Sequence, residues 1–220
     1  LVGSEMCIRD SNKSFESKDV SDITEWNVSN VENMESMFED CSGFNQDISN
    51  WNTQDVSNMR NMFNNAITFN QSLNDWSVNK VTTMEGMFRD ASAFDKPLDK
   101  WGNDVSNVTT MESMFEGATQ FNRDISNWNT QDVSNMRNMF KNAITFNEPL
   151  NDWSVNEVTT MEGMFQNASA FNQPLYNWDV STTLIDASGM FYGATSFNQD
   201  ISGWFPRGSN KIETMTNMFR

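Results

Sequence analysis

The stretch "NTQDVSNMRNMF" occupies residues 52–63, and the same twelve letters return at residues 129–140. The match extends well beyond them, because residues 44–98 and 121–175 are identical at 46 of 55 positions. None of the nine differences, such as Lys80 against Glu157, falls on a regularly spaced apolar residue. We therefore regard residues 44–98 as the first copy and residues 121–175 as the second copy of one duplicated block.

Eight tryptophans divide the chain into shorter repeats, which we number one to eight from the tryptophan that begins each. A Met-Phe pair recurs every 25 to 28 residues, and a second phenylalanine, usually followed by asparagine, recurs every 25 to 27 residues. Repeats of this length are typical of stacked architectures in which each unit contacts only its neighbours. The sequence therefore predicts a solenoid of about eight turns, starting at Trp26, Trp51, Trp76, Trp101, Trp128, Trp153, Trp178 and Trp204.

The apolar spacing within a repeat predicts its local structure. Met59, Met62, Phe63 and Ala66 stand at i, i+3, i+4 and i+7, which is one face of a short α-helix. The Thr82/Glu85 spacing resembles the capping box at a helix start. The first half of each repeat is too irregular for a long strand, so we expect one short strand and one short helix in every turn of roughly 25 residues, an α/β arrangement.

The most regular residues of the repeat are candidates for a structural core ladder. The large apolar members should face inward, because neighbouring turns must bury them. The asparagine after the second phenylalanine should stack as an amide ladder that satisfies backbone groups at a corner. For the first copy these predicted core-ladder residues are Trp51, Met59, Met62, Phe63, Phe69, Asn45 and Asn70.

The two ends of the chain differ from the repeats. Residues 1–11, "LVGSEMCIRDS", share no pattern with the rest and are interpreted as a non-native, adapter-like leader. Residues 12–21 are an N-terminal segment, and residues 22–220 are expected to form a single solenoid domain. The chain stops in mid-unit at Phe219 and Arg220, which predicts a C-terminally truncated domain with an uncapped end where a stacking neighbour could bind.

Composition restricts the chemistry that the chain can perform. It has 14 basic and 30 acidic residues, no histidine and a net charge of −16, which argues against nucleic acid as a partner. There is no P-loop or nucleophile elbow, so we expect neither catalytic residues nor a cofactor. No apolar run approaches about 18 residues, so this fragment contains no predicted transmembrane segment.

Acidic residues such as Asp47, Asp124 and Asp200 recur at comparable positions, and so do Asp55 and Asp132. Calcium sites usually present six to eight oxygens from closely spaced acidic runs, and no such run occurs. We therefore predict no metal site; weak Ca²⁺ binding remains the alternative.

The unit "FNQDISNWNTQDVSNMRNMFNNA", residues 44–66, resembles the 25–26-residue repeat of BspA-like surface proteins. The resemblance covers residues 22–220 and rests on the ordered Phe-Asn, Trp, Val, Met and Met-Phe positions. It implies a leucine-rich-repeat-like solenoid, an extracellular or cell-surface location, and a role in adhesion or protein binding. The family offers no active-site residues to transfer to this chain.

The functional expectation is a non-enzymatic, surface-exposed repeat domain that binds an unidentified protein partner. The alternative is a structural subunit of a larger extracellular filament, coat or multi-protein complex. Recognition should use the outward half of a repeat, since the inward half is apolar. In the first copy the predicted interaction residues are Asn52, Gln54, Asp55, Asn58, Arg60 and Asn61.

Overall fold

The computed structural model describes residues 23–180, 183–204 and 212–220. The expected leader, residues 1–11, and the segment 12–21 lie outside this part of the chain. The helices of the described residues are three short 3₁₀ helices, Ile23–Glu25, Asp99–Asn107 and Ser202–Trp204. Strand pairing in the same residues consists of isolated bridges. The architecture therefore depends on contacts between repeats rather than on long regular elements.

A parallel ladder connects all eight repeats. One residue of each repeat bridges to its counterpart in the next, and the backbone N–H of Thr82, for example, donates to the Ser57 carbonyl at 2.9 Å. Each bridge advances by one repeat, so the repeats are stacked in chain order. The bridged residues are Asn33, Asn58, Thr83, Thr110, Asn135, Thr160, Asp186 and Thr214.

The segment after the ladder forms overlapping turns instead of the predicted α-helix. The Met62 N–H donates to the Met59 carbonyl at 3.2 Å, and the Ala66 N–H donates to the Phe63 carbonyl at 3.0 Å. The intervening Phe63 N–H donates instead to Met87 of the next repeat, at 2.9 Å. An α-helix would direct all of these N–H groups to residues four positions earlier. The helix prediction for residues 59–66 is therefore wrong, although their large side chains do face inward.

Left-handed backbone explains why the helix does not form. Asn61 and Asn65 have φ values of 53° and 57°, a conformation outside the right-handed helical region. Corresponding residues in other repeats repeat this geometry, and every one is asparagine, aspartate, serine or glycine. These residues tolerate positive φ better than larger ones, with glycine the most permissive. Because positive φ values recur along this segment, every second N–H points toward the neighbouring repeat.

Columns of aromatic rings fill the interior. Phe63 stacks on Phe88 with ring centroids 5.6 Å apart, and Trp51 stacks on Trp76 at 6.2 Å with an interplanar angle of 2°. Phe69 belongs to a second phenylalanine column, stacked on Phe94 at 5.9 Å. Met59 and Met62 are fully buried in the same hydrophobic core. Aromatic pairs at such separations contribute packing beyond the area that they bury.

The tryptophan indoles also donate to backbone carbonyls that lie 28 to 30 residues earlier in the chain. The indole N–H of Trp128 donates to the Leu98 carbonyl at 3.1 Å, and that of Trp153 donates to the Ile125 carbonyl at 3.0 Å. The same bond recurs at Trp51, Trp76, Trp101, Trp178 and Trp204. Each indole therefore satisfies a buried carbonyl while its ring continues the stack.

The asparagine column occupies a corner between repeats. Asn45 Oδ1 accepts the backbone N–H of Asn70 at 2.8 Å, and Asn70 Oδ1 accepts that of Asp95 at 3.0 Å. The series continues without interruption to Asn198. Each side chain therefore satisfies one backbone donor of the following repeat at this corner.

The threonines at the ladder have a different role from the predicted capping box. The Thr82 hydroxyl donates to the Ser57 carbonyl at 3.2 Å, and the Glu85 N–H donates to the Thr83 hydroxyl oxygen at 3.3 Å. Thr82 therefore connects two repeats and does not cap a helix. The capping-box interpretation of Thr82 and Glu85 is wrong, since no helix begins there.

We expect Trp128→Phe to lower the free energy of unfolding by about 1–3 kcal/mol, because the buried Leu98 carbonyl loses its donor while most of the ring stack remains. Urea denaturation followed by intrinsic fluorescence measures the change. A loss below about 0.5 kcal/mol would contradict a structural role for the indole bond.

A pair of glycine substitutions separates backbone strain from steric overlap. Gly86 and Gly189 have φ values of 61° and 60°, but a Cβ would overlap Asn61 Oδ1 only at Gly86. We expect Gly189→Ala to lower the free energy of unfolding by about 1–2 kcal/mol, because alanine disfavours the left-handed backbone at this position. Gly86→Ala should cost more, because the Asn61 side chain must also move. If urea denaturation showed equal losses of unfolding free energy for the two variants, the contact with Asn61 would not contribute to the effect of Gly86→Ala.

Candidate interaction surface

The six predicted interaction residues lie on the outside of repeat two. Asn52, Gln54 and Arg60 are exposed, whereas Asp55, Asn58 and Asn61 are partly buried. They alternate with buried residues, namely Thr53, Val56, Met59 and Met62. The segment therefore presents polar groups outward wherever the core does not require a side chain.

Neighbouring repeats already engage most of the charged groups in this set. Asp55 pairs with Lys80 at 2.6 Å, and Arg60 pairs with Glu85 at 2.8 Å. Both pairs are substantially exposed, so each contributes little stability. They do neutralise these charges locally, so a binding partner would meet fewer unpaired charges on this surface.

Side-chain amides of this segment also form hydrogen bonds within the protein. The Asn58 side-chain amide donates to Glu35 Oε2 at 3.1 Å, and Asn52 Oδ1 accepts the Gln54 N–H at 3.2 Å. Asn61 supports the fold itself, because its backbone is left-handed and its Oδ1 lies over Gly86. Among the six residues, Gln54 and Asn61 are the two whose side chains make no hydrogen bond to the described residues.

The second copy repeats this arrangement with one change. Arg137 pairs with Glu162 at 3.1 Å, as Arg60 does with Glu85 in the first copy. The counterpart of Lys80 is Glu157, so Asp132 has no ion pair within the described residues. An open cavity of about 500 Å³, which we call the acidic groove, lies here and is lined by Gln131, Asp132, Ser134, Ser154, Asn156 and Glu157.

A charge triad joins the two copies through repeat four. Glu116 is only 8% exposed and lies 3.5 Å from Arg89 and 3.2 Å from Lys141. Burial raises the pKa of the neighbouring Asp90 carboxyl above its ordinary value, an effect that the Glu116 carboxylate reinforces and Arg89 and Lys141 oppose. Sequence reasoning missed this triad; the available signal was the alternation of charge at repeat spacing through Arg89, Glu116 and Lys141.

The recurring aspartates considered for calcium stabilise local turns. Asp47 Oδ1 accepts the Ser49 N–H at 3.0 Å, and Asp124 and Asp200 make the same contact with Ser126 and Ser202. Hydrogen bonds from the Ser49 hydroxyl and N–H lower the pKa of the Asp47 carboxyl. Among the described residues, no group of three or more Asp, Glu, Cys or His side chains is placed to hold a metal ion.

Comparison with known proteins identifies a repeat-type family. The model of a family described as "Mycoplasma protein of unknown function, DUF285" matches residues 8–123 and again residues 102–204. No curated protein matches the chain. In the part of the chain that the structure describes, no helix is long and apolar enough to cross a membrane. The family match confirms that this is a repeat protein and leaves its activity unassigned.

The charge triad gives a testable difference between two glutamates. We expect Glu116→Gln to lower the free energy of unfolding by about 1–3 kcal/mol, because it removes a nearly buried charge that faces two cations. Glu162→Gln is the matched control, since it breaks an exposed pair with Arg137 and should cost about 1 kcal/mol or less. Urea denaturation in low salt compares the two variants. A larger loss in the Glu162 variant would contradict the role assigned to Glu116.

Proposed function

We propose that this chain, which belongs to the DUF285 family of repeat proteins, is a leucine-rich-repeat-like solenoid of the BspA-like type and serves as a non-enzymatic protein-binding domain. The supporting observation is the separation of apolar and polar residues within the repeats. Apolar columns occupy the inside, and polar residues, many of them paired with the adjacent repeat, occupy the outside. Repeat proteins commonly use such extended, regular surfaces to bind other proteins.

The proposed location is extracellular or at the cell surface. It is supported by the resemblance of the unit to surface-protein repeats and by the polar, strongly acidic exterior. The net charge of −16 disfavours nucleic acid and favours partners that carry basic groups. The partner itself is a protein of unassigned identity.

The proposed binding surface consists of the outward positions of the two copies. In the first copy these are the six residues from Asn52 to Asn61 described above. Their counterparts in the second copy include Gln131 and Asp132, which border the acidic groove. Because the two copies share an almost identical core, differences in binding between them would arise from the few outward substitutions.

Partner capture tests the proposal. We expect the wild-type domain to capture a protein from a cell-surface extract by cross-linking, and the double variant Gln54→Ala/Gln131→Ala to capture less, since both exposed amides lie on the proposed surface. The control is Gln71→Ala/Gln173→Ala, which alters amides at a different corner of the repeats, where they bond to Asn45 and Asn147. Equal capture by all variants, or a cytosolic location of the full-length protein, would contradict the proposal.

A structural subunit of a larger filament, coat or complex is the second candidate function. The observation that favours it is apolar exposure within the repeats, where Tyr176 is 68% and Ile144 is 46% exposed. A neighbouring molecule could cover these side chains. Light scattering after size exclusion separates the two candidates: a monomer of 25.2 kDa favours the binding domain, and a defined larger assembly favours the subunit.

A further inference from the structure

We propose that the acidic groove between repeats five and six is the docking site for a lysine or arginine side chain of the protein partner. This inference rests on the proposed protein-binding function and specifies the chemistry of the partner. Two observations carry it. One is the open groove lined by Asp132 and Glu157, and the other is the way in which the first copy fills the equivalent position.

The first copy shows what this position binds. Asp55 is the counterpart of Asp132, and it holds the ammonium group of Lys80 at 2.6 Å. The lysine comes from the following repeat, so the chain itself supplies the cation. The equivalent carboxylate therefore pairs with an ammonium group within the same molecule.

The second copy retains the carboxylate but lacks the cation. Glu157 stands where Lys80 would be, and neither Asp132 nor Glu157 has an ion pair within the described residues. Both side chains are exposed, whereas Asp55 is partly buried. Two like charges on adjacent repeats repel one another unless a cation lies between them. An external ammonium or guanidinium group would relieve that repulsion.

Neutral groups in the groove can complete the coordination of such a cation. The side-chain amides of Gln131 and Asn156 present carbonyl oxygens, and these accept N–H donors. The Ser134 hydroxyl donates to the Thr109 carbonyl at 3.2 Å, which leaves its lone pairs as acceptors. A lysine ammonium offers three donors and an arginine guanidinium offers five, so either side chain matches this acceptor-rich lining.

Other ligand classes match the groove less well. Nucleic acid and other polyanions are repelled by the two carboxylates and by the net charge of −16. Calcium requires six to eight oxygens in close arrangement, and the groove supplies only two carboxylates. A basic protein partner would also be attracted electrostatically by the acidic surface, which favours its approach to the groove.

The duplication provides matched variants for the test. Glu157→Lys introduces the residue that the first copy already carries, so it should fold normally and close the groove with its own ammonium. Lys80→Glu makes the reciprocal change and should open a second groove in the first copy. Glu148→Lys changes the net charge as Glu157→Lys does but lies outside the groove.

The experiment is an NMR titration with a tetralysine peptide blocked at both ends, with a tetraglutamine peptide as the neutral control. We expect the wild-type protein to show saturable shifts of the groove amides, among them Gln131 and Asp132. Glu157→Lys should lose these shifts, and Glu148→Lys should keep them. Lys80→Glu should add a second set at Gln54 and Asp55.

Three results would overturn the docking site: unchanged shifts in Glu157→Lys, shifts spread evenly over the acidic surface, or saturable binding of Ca²⁺ alone at the same amides. None of them would affect partner capture from the extract, which tests the proposed function separately. Conversely, failure of capture together with a localised titration would contradict the proposed function and leave the cation-binding groove in place.

Discussion

Backbone hydrogen bonds that leave one repeat for the next are the constraint on which this structure depends. In repeats one to seven, four N–H groups of the turn segment donate to carbonyls of the following repeat, as Asn61 does to Glu85 at 2.8 Å and Asn65 to Arg89 at 2.7 Å. This arrangement requires a left-handed residue at regular intervals, which explains the restriction of those positions to small or amide-bearing residues. It also places successive phenylalanines in register, because their backbones are joined directly.

The other regular features strengthen the same connection between neighbours. Indole N–H groups donate to carbonyls 28 to 30 residues earlier in the chain, and asparagine side chains accept backbone N–H groups from the following repeat. Charged side chains pair across the same boundary on the outside. Because most polar groups serve the adjacent repeat, the surface available to a partner is smaller than the exposed area suggests. The acidic groove is distinctive because Glu157 stands there at the position that the cationic Lys80 occupies in the first copy.

The sequence alone predicts the period, the inward residues and the regular asparagine position, since each depends on spacing that the chain displays directly. It does not distinguish an α-helix from overlapping turns for Met59, Met62, Phe63 and Ala66, because both place those side chains on one side. The distinguishing signal was the column of Asn, Gly, Ser and Asp at Asn61 and its counterparts. The six outward residues were also identifiable, but their pairing was not, since Asp55 and Lys80 belong to different repeats.

Native-state hydrogen exchange measured by NMR tests the central claim most directly. If the repeats are held together by their backbone bonds, the amides of Asn61, Phe63 and Asn65 should be protected as strongly as those of Met62 and Ala66, which bond within the repeat. Protection should also be highest in the central repeats and decline toward both ends of the stack. Rapid exchange of Asn61, Phe63 and Asn65 beside protected Met62 and Ala66 would contradict the account.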